Sequence, residues 1–263
     1  MADTDAGDSI VFLGTGGARV VVANQLLASG GMWFNLGGTE ILVDPGPGCI
    51  VQSTKRKLKA NHLSAIYLSH RHLDHSGDIN IMVEAMSSAG FKPHGWLFAP
   101  ADALGPPEPV IYSYLRDHLE GIEVLQEGKS YTAGNVTFTT PVRHIHQVET
   151  YGAVFKTPER TFSYITDTRY FDGLLQSYGG ELLIMNVVFL EEGRPFDHLS
   201  VPDAKHIIAE LKPKAAILTH FGTTVWRAKP WEIAEKLSEE TGVKVIAARD
   251  GMKFDFAKLD ETK

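Results

Sequence analysis

The sequence feature that most constrains the fold is the run His-Arg-His-Leu-Asp-His at residues 70–75, which follows an apolar, strand-like segment. Three histidines and one aspartate within six residues form a dense group of metal-binding side chains. Because His70 and His72 are two apart at the end of an extended strand, their side chains point the same way and can grip one cation. Asp74 and His75 lie beyond the turn and can face a second cation. Imidazole and carboxylate ligands without thiolate favour zinc, manganese or iron.

Further candidate ligands come shortly after other apolar segments of the chain. His144 and His146 follow one such segment, Asp167 follows another and His220 a third. Since α/β proteins build their sites at the carboxyl ends of strands, we expect these side chains to converge on the first group. His144 and His146 share one face of an extended segment, so their spacing alone leaves both open as ligands.

Short apolar runs bounded by Gly, Pro or Asp alternate along the chain with longer helical patterns, which is typical of an α/β protein. Strands are predicted at Ile10–Leu13, Glu40–Val43, Ala65–Ser69, Trp96–Ala99, Ile122–Leu125, Val136–Pro141, Gly152–Phe155, Phe162–Thr166, Leu182–Leu190, Ala215–Thr219 and Val243–Ala247. Helices are predicted at Lys55–Ala60, at Gly77–Ala89, after the capping sequence 200–203, and at Pro230–Thr241. No linker-like segment interrupts this order, so we expect one domain over residues 1–263.

Composition excludes several classes of protein. The chain has 25 Lys+Arg against 32 Asp+Glu, a formal charge of −7, which disfavours binding to nucleic acid. Cys49 is the single cysteine, so an internal disulfide and a cysteine-rich zinc module are excluded. The first residues lack the pattern of a secretory signal, and the longest uncharged segment, 20–39, is broken by polar residues and glycines. We therefore expect a cytoplasmic protein with no membrane contact.

Taken together, the motifs resemble those of the metallo-β-lactamase superfamily of binuclear hydrolases. The histidine-rich run, a later histidine, Asp167 in Ile-Thr-Asp-Thr and His220 in Leu-Thr-His-Phe-Gly occur in that family's order. The segments FLGTGGAR at 12–19 and ILVDPGPG at 41–48 resemble the family as well. This resemblance covers roughly residues 10–222. It implies an α/β fold of the four-layer αββα sandwich type, with metals at the edge of the inner sheets.

The resemblance also implies a ligand for each metal position. The first metal would take His70, His72 and His146, and the second would take Asp74, His75 and His220, with Asp167 bridging both. His146 is preferred to His144 because its distance to the Tyr-Gly pair at 151–152 resembles that in family relatives. Asp44 resembles a superfamily aspartate that orients a ligand, although a turn-forming role before Pro45 is an equal alternative.

His198 bears on the branch of the superfamily, because it stands 22 residues before His220. Ribonuclease Z and the cyclic-phosphate phosphodiesterases of phosphonate breakdown place a non-ligand histidine similarly, beside the phosphate. There it would act as a general acid that protonates the leaving oxygen, while Asp74 would help to orient the nucleophile. The alternative is an ordinary surface histidine before a helix cap.

Two features depart from these branches. Ribonuclease Z usually carries a long tRNA-gripping arm before its bridging aspartate, but only 21 residues separate His146 from Asp167. The phosphonate-pathway enzymes add a structural zinc site made of cysteines, which Cys49 alone cannot form. No single named substrate therefore follows from the resemblance.

The resulting hypothesis is a hydrolase with two divalent metal ions, Zn²⁺ first and Mn²⁺ or Fe²⁺ as alternatives. It would cleave a small phosphodiester, cyclic ones included, through a hydroxide that bridges the metals. We expect an anionic small-molecule substrate, and a homodimer is left open. An ester, lactone or thioester hydrolase on the same metals is the alternative activity. A catalytically silent scaffold is the remaining alternative, although such relatives usually lose ligands and every expected ligand is present here.

Overall fold

Two seven-stranded β-sheets packed face to face form the centre of the protein, as seen in a computed structural model that describes residues 7–260. Residues 1–6 and 261–263 lie outside the described residues, and the prediction that the N-terminus carries no secretory signal falls largely on residues 1–6. Both sheets have the same construction, because three antiparallel pairings are followed by three parallel ones.

The first sheet has the strand order β14-β1-β2-β3-β4-β5-β6. Its strands are β1 (Ser9–Phe12), β2 (Met32–Leu36), β3 (Thr39–Val43), β4 (Ala65–Tyr67), β5 (Trp96–Ala99), β6 (Gly121–Val124) and β14 (Lys253–Asp255). The second sheet has the order β13-β12-β11-β10-β9-β8-β7. Its strands are β7 (Lys129–Ala133), β8 (Val136–Thr140), β9 (Ala153–Lys156), β10 (Thr161–Ile165), β11 (Leu182–Asn186), β12 (Ala215–Thr219) and β13 (Lys244–Ala247).

Helices cover the outer face of each sheet. The helices that lie between strands of the first sheet in sequence are α1 (Ala18–Ala23), α2 (Cys49–Lys55), α3 (Leu73–Ser76), α4 (Ile79–Met86) and α5 (Ala101–Leu104). The second is interleaved with α6 (Gly173–Ser177), α7 (Val201–Leu211), α8 (Thr223–Arg227) and α9 (Pro230–Thr241). Short 3₁₀ helices occupy 60–62, 113–118 and 256–259. Within residues 7–260, no helix combines the length and the apolar composition needed to cross a bilayer.

Three apolar clusters separate the four layers. The central cluster joins the inner faces of both sheets, where Phe34 of β2 packs edge-to-face on Phe155 of β9 and Phe162 of β10 at 5.2 and 5.5 Å. A second cluster lies between the first sheet and helices such as α4, and a third between the second sheet and helices such as α7 and α9. The expected four-layer αββα sandwich is therefore confirmed.

The functional edge of the molecule follows from strand direction. Strands β3, β4, β10, β11 and β12 take part in parallel pairings, so their carboxyl ends meet at one edge of their sheets. The next residues in the chain include Asp44 after β3, His70 after β4, Asp167 after β10 and His220 after β12. Packing the two sheets face to face therefore brings side chains from both sheets to one place.

Most predicted elements are present, but several boundaries are wrong. The helix expected at Lys55–Ala60 is instead Cys49–Lys55, because buried Cys49 and Ser53 anchor the earlier turns and Lys57 has a left-handed φ of 59° that breaks the helix. The strand expected at Leu182–Leu190 ends at Asn186, after which the backbone turns to pair Val188 with Leu199. Three strands had no prediction: β2, β7 and β14. Their polar or glycine-flanked sequences gain a partner only in the folded sheet.

We expect Phe34→Ala to lower the free energy of unfolding by about 3–5 kcal/mol, because it leaves a cavity between the two sheets. Chemical denaturation at unchanged slope measures this loss. Phe91, whose side chain is 93% exposed, supplies the control, and Phe91→Ala should change stability by less than about 0.5 kcal/mol. A loss below about 1 kcal/mol for Phe34→Ala would contradict the central position of this ring.

Candidate metal centre

Seven side chains from both sheets meet at the shared strand edge in two groups. In each group, one possible ligand atom per residue lies within 4.8 Å of the others. The first group consists of His70, His72 and His146, and the second of Asp74, His75, Asp167 and His220. His198 lies beside them, in a third such set with His146 and Asp167.

The first group joins the histidine-rich turn to the loop after β8. His146 Nε2 lies 3.1 Å from His72 Nδ1, and the ring of His70 is edge-on to both partners at 4.9 and 5.1 Å. His146 Nδ1 donates to the carbonyl of Asp197 at 2.9 Å, so Nδ1 carries the hydrogen. The lone pair of a neutral His146 is therefore on Nε2, the atom that faces the rest of the group.

Asp167 lies between the two groups. One carboxylate oxygen, Oδ2, is 3.8 Å from His70 Nε2 and 3.4 Å from His75 Nε2, and the other, Oδ1, is 3.5 Å from His220 Nδ1. The second nitrogen of His220 is 3.4 Å from Asp74 Oδ2. The Asp167 carboxylate thus lies close to members of both groups.

The donor set fits divalent cations. His70 Nε2, His75 Nε2 and both ring nitrogens of His220 are buried and have no hydrogen-bond partner. Leaving a buried polar atom unpaired costs about 1–3 kcal/mol, so a site with several such atoms needs a further ligand. Nitrogen and carboxylate oxygen donors are the ones that zinc and similar metals take.

The electrostatics favour a positive charge at the second group. Burial alone would raise the pKa of Asp167, but the nearby His220, His198 and His75 hold that pKa well below its usual range. Burial alone would lower the pKa of His75, but Asp167, Asp44 and Asp74 raise it well above its usual value. The carboxylates are therefore ionised and draw positive charge to this point, which a metal ion would supply in place of the His75 proton.

The first group has the opposite character. Burial lowers the pKa of His70 well below its usual value, with a further contribution from His75. Burial and His146 lower the pKa of His72 to about 4. These rings are consequently neutral near pH 7, and a neutral imidazole is the form that binds metal.

Asp44 orients two histidines from behind. Its Oδ2 atom accepts hydrogen bonds from Ser69 Oγ at 2.8 Å, from the Tyr164 hydroxyl at 2.8 Å and from His75 Nδ1 at 3.0 Å. Since the Ser69 hydroxyl donates to Asp44, its oxygen accepts from His70 Nδ1 at 3.0 Å. Both His70 and His75 thereby keep their hydrogens on Nδ1 and turn Nε2 toward the site.

The backbone of Asp44 also shapes the turn before Pro45. Its φ of 51° is left-handed, a conformation that aspartate tolerates better than most residues. His220 has a similar φ of 59°, and a side chain added to Gly17 would start only 2.0 Å from its ring. The ring of His220 therefore packs directly against Gly17, in the glycine turn that follows β1.

His144, the alternative ligand, belongs to neither group. It is buried, its Nδ1 is 3.2 Å from the carbonyl oxygen of Asp167 and its Nε2 is 2.7 Å from the Tyr178 hydroxyl. Burial lowers the pKa of His144 to about 4. Neither ring nitrogen faces a ligand atom of the two groups, which distinguishes His144 from the ligand candidates.

His198 lies between the metal-binding groups and a cavity. Its Nδ1 is 3.4 Å from Asp167 Oδ2 and has no hydrogen-bond partner, and burial lowers the pKa of the ring. A cavity of about 370 Å³ opens beside it, lined by Arg169, Tyr170 and residues 189–203. Most of the lining comes from the loop between β11 and α7.

Three further residues at the site carry no motif. Ser69 and Tyr164 bond Asp44, and Asn186 Nδ2 donates to Asp167 Oδ1 at 2.8 Å. Serine, tyrosine and asparagine are common residues, so only their places in or next to β4, β10 and β11 could have pointed to them. Their role depends on pairing between strands that lie far apart in sequence.

Comparison with known proteins agrees with this fold. Residues 39–221 match the family described as the beta-lactamase superfamily domain. An uncharacterized protein of Methanocaldococcus jannaschii is 32% identical over 254 residues, which is 94% of this chain and 94% of that protein. The probable metallo-hydrolase YhfI of Bacillus subtilis is 28% identical over 200 residues, covering 73% of this chain and 80% of YhfI. Ribonuclease Z of Methanosarcina mazei is 31% identical over 129 residues, covering 46% of this chain and 41% of that enzyme.

The crystal structure of YhfI, described as a metallo-beta-lactamase fold protein, is similar to the whole chain. Its TM-score is 0.79 at 23% identity, and the match covers 95% of this chain and all of YhfI. At that identity the similarity shows the shared fold.

We expect Asp44→Asn to weaken metal binding about 10–100-fold, because an amide nitrogen cannot accept the hydrogen bonds that orient His70 and His75. A competition titration with a chelator and Zn²⁺ measures this loss. Asparagine tolerates the left-handed backbone, so the substitution mainly tests the carboxylate. Asp172→Asn, which alters a surface hydrogen bond with Tyr170, is the matched control and should leave the affinity unchanged. Equal affinities of Asp44→Asn and the wild type would contradict the orienting role.

Proposed function

The chain belongs to the beta-lactamase superfamily and is a metallo-hydrolase, and we propose that it is a binuclear phosphodiesterase acting on a small phosphodiester. One observation carries the proposal: His198 stands between the metal-binding groups and the 370 Å³ cavity, with an unpartnered Nδ1. A proton donor at this place is needed when the leaving group is a poorly stabilised alkoxide. The similarity to a ribonuclease Z, whose name denotes cleavage of RNA, supports phosphodiester chemistry.

We assign the ligands from the two groups. His70, His72 and His146 would hold one metal ion, and Asp74, His75 and His220 would hold the other. Asp167 would contact both, since its Oδ2 lies near His70 of the first group and its Oδ1 near His220 of the second. Zn²⁺ is the first choice for this donor set, with Mn²⁺ or Fe²⁺ as alternatives.

Divalent cations bound at such a site lower the pKa of water toward neutrality and offset charge on phosphoryl oxygens. The protein's own side chains would do the rest. Asp74, which is 16% exposed and ionised, offers an oxygen that accepts a hydrogen bond from the attacking water and orients it. Asn186 and the histidines hold the Asp167 carboxylate in one orientation, so the site is arranged before substrate binds.

His198 would donate a proton to the leaving oxygen. Burial lowers the pKa of this ring, and the negative charge of Asp167, 3.4 Å from Nδ1, acts against that shift by stabilising the protonated form. Phe189 packs edge-to-face on the ring of His198 at 5.9 Å and limits its movement. The departing group would then enter the adjacent cavity, whose size lies in the usual range for small-molecule sites.

We expect purified protein loaded with Zn²⁺ or Mn²⁺ to hydrolyse bis(p-nitrophenyl) phosphate at least tenfold faster, in kcat/KM, than lactones and thioesters. The physical reason is that two cations match the paired oxygens of a phosphodiester better than one carbonyl oxygen. The measurement is a spectrophotometric comparison of these substrates. The reverse preference would favour the ester, lactone or thioester hydrolase, and no turnover by metal-loaded protein would favour a silent scaffold.

We expect His198→Gln to reduce kcat for a 2′,3′-cyclic nucleotide by about 10²–10⁴-fold, since its leaving oxygen is an alkoxide that needs a proton. The loss with bis(p-nitrophenyl) phosphate should be much smaller, because p-nitrophenolate leaves without one. Metal content is measured in parallel and should stay at the wild-type level. The control is His62→Gln, a partly exposed histidine that pairs with Glu40. Equal losses on both substrates, or a matching loss of metal, would refute the general-acid role.

A further inference from the structure

We propose that His144 is a positioning residue that ties the loop of His146 to the loop of Asp167 and so sets the distance between the two metal-binding groups. This inference rests on the metal site proposed above. His144 acts through the main chain of Asp167 and touches neither metal nor substrate. No motif pointed to this role, because the spacing of His144 and His146 suggested only that either could be a ligand.

The hydrogen bonds of His144 define which nitrogen carries the hydrogen. The partner of Nδ1 is the carbonyl oxygen of Asp167, which can only accept, so Nδ1 is the donor. The partner of Nε2 is the Tyr178 hydroxyl at 2.7 Å, which donates to that nitrogen. Each polar atom in this buried chain therefore has one defined partner.

The neighbouring backbone extends the connection. Arg169 donates its N–H to the carbonyl of Ile145 at 3.1 Å, and the N–H of Ile145 donates to Thr168 Oγ1 at 3.2 Å. Residues 144–145 and 167–169 thus run side by side, and His146 comes next in the chain. A change at His144 consequently acts on both loops at once.

The space around the pair admits little else. A Cβ added to Gly152 would lie 2.6 Å from the Tyr178 hydroxyl and 2.9 Å from His144 Cε1. The glycine therefore leaves the room in which His144 and Tyr178 meet. If the hydrogen bond from His144 to Asp167 had no function, a side chain that only filled this volume could replace His144 without loss.

The test compares three replacements of His144. In His144→Asn, the side-chain N–H group can occupy the place of Nδ1 and donate to Asp167. In His144→Gln, the amide reaches the place of Nε2 and loses that donation, whereas His144→Phe fills the volume with no hydrogen bond. We expect His144→Gln and His144→Phe to weaken Zn²⁺ binding at least tenfold. The Zn²⁺ affinity of His144→Asn should stay within threefold of that of the wild type.

Two readouts separate positioning from general damage to the fold. The visible absorption spectrum of the Co²⁺-loaded protein should shift in His144→Gln and His144→Phe. In His144→Asn it should remain like that of the wild type. Turnover of bis(p-nitrophenyl) phosphate by the metal-saturated variants should fall in kcat with little change in KM. If His144→Phe does not fold, Tyr178→Phe replaces it, because it removes one hydroxyl and keeps the size of the ring, and it should shift the Co²⁺ spectrum in the same direction.

The outcomes distinguish this inference from the proposed function. The positioning role would be overturned if His144→Phe and His144→Gln kept the Co²⁺ spectrum and Zn²⁺ affinity of the wild type. It would also be overturned if His144→Asn and His144→Phe lost Zn²⁺ affinity equally. Either result would leave the proposed metal site intact. Failure of the wild-type protein itself to bind metal would refute the proposed function, and this inference with it. Nitrogen NMR of the metal-free protein gives an independent check, since His144 should carry its hydrogen on Nδ1. A hydrogen on Nε2 alone would also overturn the inference.

Discussion

The buried carboxylate of Asp167 is the group on which the rest of the site depends. Its oxygens lie within 3.8 Å of nitrogens of His70, His75, His198 and His220, which come from both sheets. A carboxylate at this depth is stable only if positive charge or hydrogen bonds compensate its desolvation. The Asn186 amide supplies one hydrogen bond, and the surrounding imidazoles leave a place for cations.

Support for this arrangement lies behind the ligands. Asp44 collects hydrogen bonds from Ser69, Tyr164 and His75, so the same carboxylate sets the ring orientation in two ligand groups. His144 plays a corresponding part for the main chain of Asp167. Partners of this kind restrain His70, His75 and Asp167, and they would keep a metal bound there in one geometry.

The position of His198 gives the site its direction. The ring lies within reach of His146 and Asp167 and also lines the cavity formed with residues from 189–203. In the proposed reaction, His198 would therefore connect the metal-binding groups to the place that receives the leaving group. The cavity belongs to a loop between β11 and α7, and such loops are where related folds change their substrates without altering the site.

By itself, the sequence determined the fold class and the residue types of the site. The run at 70–75 and the strand-end residues Asp167 and His220 predict a metal site, because imidazoles and carboxylates at such spacing serve few other purposes. The α9 helix was predictable to its ends from Pro230 and Gly242, since local backbone preferences set both boundaries.

Only the tertiary structure decided how these parts meet. The two-residue spacing of His144 and His146 does not tell which of them is a ligand. Packing places His144 against the main chain of Asp167 and His146 beside His72. Strand β14, which pairs with β1 near the other end of the chain, and the supporting roles of Ser69 and Tyr164 depend on partners far away in the sequence. The physical reason is that a side chain's chemistry is local, whereas its burial, its hydrogen-bond partner and its distance to a second ligand arise only when the two sheets pack together.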